Sequence, residues 1–328
     1  MKISSDDLQA SYAFCRRLSR RSGSNFYLGF LLLPREKRRA MHALYAFMRH
    51  TDDLVDAPTV SLDEINDASL IRKREQLERW RASLSDAFQG GDGSRISAIS
   101  IAKHDWPAML ILPALVDTVE KYHIPTEYLF AVLDGVEMDL DPGRYETFEK
   151  LQLYCRRVAS AVGLACIHIW GFRGQGTPQT DGAVEIARQA GIALQLTNIL
   201  RDLKADAASD RVYLPLEDLH NCGYSVEELK KGVVNEAFYR VMEMEINRAR
   251  QLYQEGCKLF DFLDRDGRRI FGLMMSVYRS LLEKIARRPG QVFSRPIRLG
   301  KLERVIHFIS WTLIPSMMAK KHLRNNKR

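Results

Sequence analysis

Apolar residues in this chain recur every three or four positions, and almost nowhere do they alternate. That regularity confines the fold, because a spacing near 3.6 lines one face of a helix and a spacing of two lines one face of a strand. No run of alternating Val, Ile and Thr is present, and no Asn-Gly pair marks a two-residue hairpin. The periodicity breaks at "LLLPREKRRA", "DAPTVSLDE", "FQGGDGSR", "KYHIPTEYL", "DLDPGRYE", "WGFRGQGTPQTDG" and "RRPGQVFSRP", where Pro and Gly end helices. The breaks are short and no solenoid-type repeat appears, so the expectation is an all-α fold in a single domain.

Composition narrows the function classes. At 46% hydrophobic and 27% charged over 328 residues, the chain has the balance of a globular protein. Its start, "MKISSDDLQ", lacks the apolar region of a secretory signal. The five cysteines (Cys15, Cys155, Cys166, Cys222 and Cys257) show no C-x-x-C spacing, which argues against zinc and for reduced thiols in a cytoplasmic protein. The formal charge of +8 is uneven: from Lys284 onward Glu303 is the only acid. "VIHFISWTLIPSMMA" lies among those basic residues, too short to span a bilayer and interrupted by His307 and Pro315. We therefore divide the chain into a domain over 1–304 and an apolar, then basic, segment over 305–328. With Trp311 beside lysines and arginines, that segment suits peripheral contact with an anionic membrane on its cytoplasmic face. A helix docked on the core is the plainer alternative. No nucleic-acid motif accompanies the basic residues, so no nucleic-acid partner is expected.

The acidic residues carry the chemistry. In "QLTNILRDLKAD", Gln195, Asn198, Asp202 and Asp206 fall within an arc of roughly 100° on a helix. Leu194, Leu196, Ile199, Leu200 and Leu203 cover the remainder, so the polar stripe should face an internal cavity. A single Asp pair four apart usually marks a solvated face. Here "YAFMRHTDDLVD" repeats the pattern with Tyr45, Arg49, Asp52 and Asp56. Like charges at i and i+4 destabilise a helix by a few tenths of a kcal/mol, so two such pairs read as two halves of one site. Paired carboxylates suit a hard divalent cation such as Mg²⁺, which commonly bridges protein carboxylates and substrate phosphates. No Walker or Rossmann glycine loop is present to hold a phosphate instead.

"HTDDLVD" and "LQLTNILRDLKADAASDRVYLP" resemble the two aspartate-rich motifs of the squalene/phytoene synthase family. "YCRRVASAVGLACIHIWG" is similar to its third signature, and "SGSNFYLGFLLLPREKRRAMHALYAFMR" to its N-terminal stretch. The resemblance runs from about Ser22 to about Pro289. It implies an isoprenoid synthase fold, a helical bundle around a central cavity, joining two prenyl diphosphates head to head.

The resemblance further implies that Asp52 and Asp56 form the first metal-binding pair, Asp202 and Asp206 the second, with Asn198 assisting. Arg49, Arg211 and Tyr213 would contact diphosphate, Tyr45, Gln195 and Phe26 would line the substrate, and Tyr154 would shape the zone of carbocation formation. The implied cofactor is Mg²⁺ or Mn²⁺, with NADPH not expected for the first half-reaction. Downstream isoprenoid enzymes are implied partners. Arg157 stands where many phytoene synthases carry an aromatic residue, and Ser160-Ala161 where they often have Gly-Thr. These departures place the chain nearer the bacterial presqualene diphosphate synthases of the hopanoid pathway, which use farnesyl diphosphate. The alternatives are a phytoene synthase using geranylgeranyl diphosphate, a squalene or dehydrosqualene synthase, and a non-catalytic membrane-associated assembly factor. A non-catalytic member should have lost metal aspartates, and both pairs are intact here.

Overall fold

The computed structural model describes residues 4–21, 25–56, 67–89, 106–141, 144–176, 180–313 and 315. Among them the chain is all-α, as the periodicity requires, and contains no strand beyond one isolated bridge between Phe172 and Leu263. The helices are α1 (Ser5–Arg21), α2 (Asn25–Phe30), α3 (Arg35–Asp56), α4 (Asp67–Gln89), α5 (Trp106–Tyr122), α6 (Thr126–Met138), α7 (Phe148–Cys155) and α8 (Ala161–Trp170). They continue with α9 (Thr180–Ala208), α10 (Leu216–Asn221), α11 (Val226–Lys231), α12 (Glu236–Cys257), α13 (Arg265–Arg287), α14 (Gln291–Ser294) and α15 (Lys301–Leu313). A π-helical turn, Arg156–Ser160, joins α7 to α8. The chain divides into two compact units, Met1–Asp141 with Ala165–Trp170, and Pro142–Leu164 with Gly171–Arg328.

In the first unit α1, α3 and α5 pack on one another through Cys15, Ala43, Phe47, Ile111 and Leu115, all buried. Pro113 lies inside α5, where its ring removes a donor and crowds the carbonyl four residues back. Ser11 of α1 enters at that point. Its hydroxyl donates to the Leu110 carbonyl (2.7 Å) and accepts from the Ala114 N–H (3.0 Å). Trp80 of α4 is fully buried and donates through Nε1 to Thr51 Oγ1 (3.0 Å), fixing α4 on α3.

In the second unit α12 packs along α9, and the Tyr253 and Thr197 hydroxyls are hydrogen-bonded at 2.9 Å. The π-helical turn presses onto α9 at Gly191, where a Cβ would lie 2.6 Å from Ser160 Cα, so only glycine fits. Sequence periodicity places Tyr154, Val158 and Ala161 in one stripe. The wider π turn breaks it: Ser160 and Ala161 are buried and Val158 is half-buried.

α15 corrects one expectation. Trp311 is fully buried rather than at a membrane surface. It stacks on Phe260 (5.5 Å between ring centroids) and donates to Ser276 Oγ (2.7 Å), over Gly272, whose missing Cβ makes room for the indole. The helix is docked by that face, while Leu302, Val305, Ile306, Ile309 and Leu313 on the opposite face are exposed. No helix among the described residues is long and apolar enough to cross a membrane. All five cysteines are free thiols and buried.

Candidate active site

In the first unit, α3 carries Tyr45, Arg49, Asp52 and Asp56. Tyr45 is half-buried, its ring edge-on to Phe30 of α2 (6.1 Å). Phe30 in turn meets His42, which also contacts Tyr27, so an aromatic layer underlies Tyr45. Arg49 forks onto Asp53 (2.6 and 3.2 Å), both side chains being 47% exposed. Asp52, on the adjoining arc of the helix in line with Tyr45, is also exposed. The Asp56 and Phe26 side chains lie outside the described residues, although their backbones belong to α3 and α2.

In the second unit, α9 carries Gln195, Asn198, Asp202 and Asp206, all half-buried, with Leu196, Ile199, Leu200 and Leu203 buried beside them. The Asn198 amide donates to Gln195 Oε1 (3.3 Å), whereas its own Oδ1 is buried and accepts no hydrogen bond. Arg201 Nε donates to Asp202 Oδ1 (2.8 Å), and its Nη2 reaches the other carboxylate oxygen. Tyr278 of α13 is buried against Asn198, Arg201 and Asp202. Burial pushes its hydroxyl pKa up, while Arg201 and Asn198 pull it back.

The end of α9 sets Arg211 and Tyr213. Asp210 adopts a left-handed φ of 58°, which Asp tolerates better than most residues, and pairs with Lys230. The chain then turns back so that the Arg211 N–H donates to the Asp206 carbonyl (2.9 Å). Two residues on, the Tyr213 ring stacks on Tyr154 (5.1 Å) and Tyr145 (6.1 Å), with Tyr154 and Tyr145 5.5 Å apart. The Tyr154 hydroxyl donates to that of Tyr213 (3.4 Å). Tyr154 is buried.

Among the described residues, α3 and α9 each carry a row of the predicted residues, and Tyr154 meets Tyr213. Sequence reasoning missed Tyr145 and Tyr278. Tyr145 sits in the "GRYE" break and carried a weak signal; Tyr278 lies on a strongly amphipathic helix where a tyrosine reads as core. For a metal, the donors on α9 are hard: two carboxylates and the unpaired amide oxygen of Asn198. No cluster of three or more His, Cys, Asp or Glu able to hold a metal occurs among the described residues. A cation that keeps several waters and bridges to substrate phosphates needs fewer protein ligands than that, so the donor set fits Mg²⁺.

Comparison with known proteins is concordant. The family model for squalene/phytoene synthase matches residues 19–303. A 15-cis-phytoene synthase from Synechocystis is 33% identical over 312 residues, covering 93% of this chain and 85% of the relative. A phytoene synthase from Arthrospira platensis is 34% identical over 297 residues, covering 87% of each. Among solved structures, a dehydrosqualene synthase in complex with ligand superposes with a TM-score of 0.74 at 26% identity, covering 98% of this chain and 99% of that one. The squalene synthase HpnC from Alicyclobacillus acidocaldarius gives a TM-score of 0.68 at 26% identity, covering 88% and 97%. Family match, all-α fold and acidic motifs agree: the chain belongs to the squalene/phytoene synthases, a family of prenyltransferases.

Proposed function

We propose that this prenyltransferase condenses two farnesyl diphosphates head to head into presqualene diphosphate, releasing pyrophosphate. The observation that carries the reading is the α9 row, where Asp202, Asp206 and the unpaired Asn198 oxygen present hard donors beside Arg201. Asp52 and Asp56 with Asp202, Asp206 and Asn198 hold Mg²⁺ in this proposal. The metal supplies Lewis-acid stabilisation of the departing pyrophosphate.

The chain's own residues do the rest. Arg49 and Arg211 donate charge-assisted hydrogen bonds to diphosphate oxygens, favouring cleavage of the allylic C–O bond. Tyr45, Gln195 and Phe26 line the prenyl chain. Tyr154 presents a buried ring face toward the cation, where water would quench it to an alcohol. The double bond of the second diphosphate attacks that cation, and loss of one proton closes the cyclopropane. Pyrophosphate is the base, since no His or Glu stands on either acidic row. NADPH has no part in this half-reaction.

Arg157 supports the product assignment. It is half-buried in the π-helical turn, and in this proposal it borders the cavity, where its positive charge would disfavour the migrating cation of a second ionisation. A second reading, phytoene formation from two geranylgeranyl diphosphates, is favoured by the phytoene synthases at 33% and 34% identity. Incubation of the purified protein with each diphosphate and Mg²⁺, followed by timed mass spectrometry, separates the two. Farnesyl diphosphate should accumulate presqualene diphosphate; release of only a rearranged hydrocarbon, from either substrate, would overturn the assignment.

We also place the protein on the cytoplasmic membrane face through the outer side of α15, where Leu302 and Leu313 are each 72% exposed and Lys301 flanks them. Ile306→Glu should lower co-sedimentation with anionic vesicles while leaving turnover of detergent-dispersed substrate unchanged.

A further inference from the structure

Beneath the tyrosine cluster, in the second unit, lies a group of charges that the reaction as proposed does not use. Glu245 of α12 is fully buried and Asp218 of α10 is buried, and both meet Arg248. The guanidinium forks onto Asp218 at 2.7 and 3.4 Å and donates to Glu245 Oε1. Its flat face covers the ring of Phe148, the first residue of α7, at 4.1 Å. One side chain therefore touches α7 and α10 while being rooted in α12.

Those two contacts bracket a junction between chain segments. The Leu216 N–H donates to the Tyr145 carbonyl (2.8 Å) and the Glu217 N–H to the Glu146 carbonyl (3.1 Å). The Phe148 N–H donates to Glu217 Oε1 (2.8 Å). The junction thus clips the stretch entering α7, which bears Tyr145, to the stretch entering α10, which bears Tyr213. Tyr154 lies two turns along α7 from Phe148. All three tyrosines hang from the two segments that Arg248 locks.

We infer that Arg248, held in its fork by Asp218 and Glu245, is a positioning residue that sets the Tyr145–Tyr154–Tyr213 cluster for the reaction. The inference rests on the proposed function in assigning that cluster to the carbocation. Energetics favours a geometric role over a stabilising one. Burying three ionisable groups costs desolvation that an apolar trio of the same volume would avoid, whereas a planar fork fixes orientation in a way that neither an apolar side chain nor a lysine does. One guanidinium cannot neutralise two buried carboxylates, and Glu245 is the group that keeps its proton. Only its Oε1 is held by Arg248, and Oε2 has no donor to stabilise a negative charge there. Burial pushes its pKa up to about 8, with Arg248 opposing and Asp218 reinforcing. Cys155 and Cys222 are further titratable groups near this carboxyl, and burial pushes both thiols up, so they stay neutral.

Arg248→Lys keeps the charge and loses the fork. With protein labelled by fluorotyrosine, and the Tyr154 and Tyr213 resonances assigned from Tyr→Phe variants, the fluorine spectrum of Arg248→Lys should show both resonances displaced. Turnover should fall about tenfold while KM changes by less than about threefold, because misplacement of a preorganised group acts in the transition state. Glu245→Gln, a neutral isostere of the protonated carboxyl, should keep both resonances and turnover. Undisplaced resonances with turnover within about twofold of wild type would reduce Arg248 to a structural residue. A folded Glu245→Gln that loses turnover would overturn the assignment of the proton. Where Arg248→Lys fails to fold, Asp218→Asn weakens the same fork and is read the same way. A wild type inert toward every prenyl diphosphate, with resonances that still move in Arg248→Lys, would refute the proposed function and leave the positioning of the tyrosines standing.

Discussion

The acidic rows of α3 and α9 look alike in sequence and are built differently. Both place aspartates near a helix C-terminus, where the helix dipole already disfavours negative charge, and neither last turn contains a basic residue. On α3 the arginine is taken by a bystander: Arg49 pairs with Asp53, on the exposed flank. On α9 the arginine grips a member of the row itself, since Arg201 pairs with Asp202, and Tyr278 backs both from α13. On α9, Asp202 is therefore paired and oriented by the protein's own groups. On α3 the row's arginine instead holds Asp53, beside Asp52 rather than in the row. An acidic pattern alone does not say which half is preorganised; the partner of the nearest arginine does.

The largest expected effect is on turnover. Asp52→Asn and Asp202→Asn should each reduce it by several orders of magnitude, since each 1.36 kcal/mol of lost transition-state stabilisation is tenfold in rate. Steady-state pyrophosphate release checks this, and a variant retaining a tenth of wild-type activity at saturating Mg²⁺ would remove its half from the proposed site. The same two variants should separate in stability. Asp52→Asn should melt level with wild type or higher, because it relieves repulsion. Asp202→Asn should lose up to about 1 kcal/mol, because Arg201 loses its partner. Equal melting temperatures would break the comparison.

A few kcal/mol are at stake in the buried network behind the second half. Glu245 holds its proton in the native state up to about pH 8, against a reference value of 4.5. The folded state thus binds more protons than the unfolded state between those values, and stability falls as pH rises through that window. Glu245→Gln abolishes this slope. Denaturant titrations at pH 5 and pH 8 should show a loss for wild type and almost none for the variant; parallel losses would mean that Glu245 is ionised throughout.

Tyr278→Phe removes a buried hydroxyl facing Asn198 and Arg201, and should cost about 1 kcal/mol by chemical denaturation. Smallest is Asp53→Asn. It breaks an exposed pair and should change stability by less than about 0.5 kcal/mol, an effect that added salt erases. A larger, salt-insensitive loss would show that Arg49 is organised as firmly as Arg201.

Much of this was legible in the sequence, and for identifiable reasons. The helices and their breaks follow from spacing, Pro and Gly, which act locally. The α9 row was legible because four polar residues aligned on an otherwise apolar helix have to face something polar. What escaped depends on contacts distant in sequence or on backbone geometry without a compositional mark. Tyr278 meets Asn198 from 80 positions away. The π-helical turn at Arg156–Ser160 is written in residues equally at home in an α-helix, and it undoes the 3.6 spacing beyond Tyr154. Trp311 has the composition of an interfacial residue, yet it is fully buried over Gly272, a partner that only tertiary structure reveals.

Ser11 in the gap that Pro113 opens ties the opening of two helices together. The Ala114 amide donates to a hydroxyl from α1, on another helix. When α1 lifts, the middle of α5 loses its cover along with it. Amide exchange at Ala114 should then report the departure of α1, so the two segments exchange as one cooperative unit although about a hundred residues of chain separate them. Ser11→Ala would uncouple them, speeding exchange at Ala114 while the rest of α1 keeps its protection.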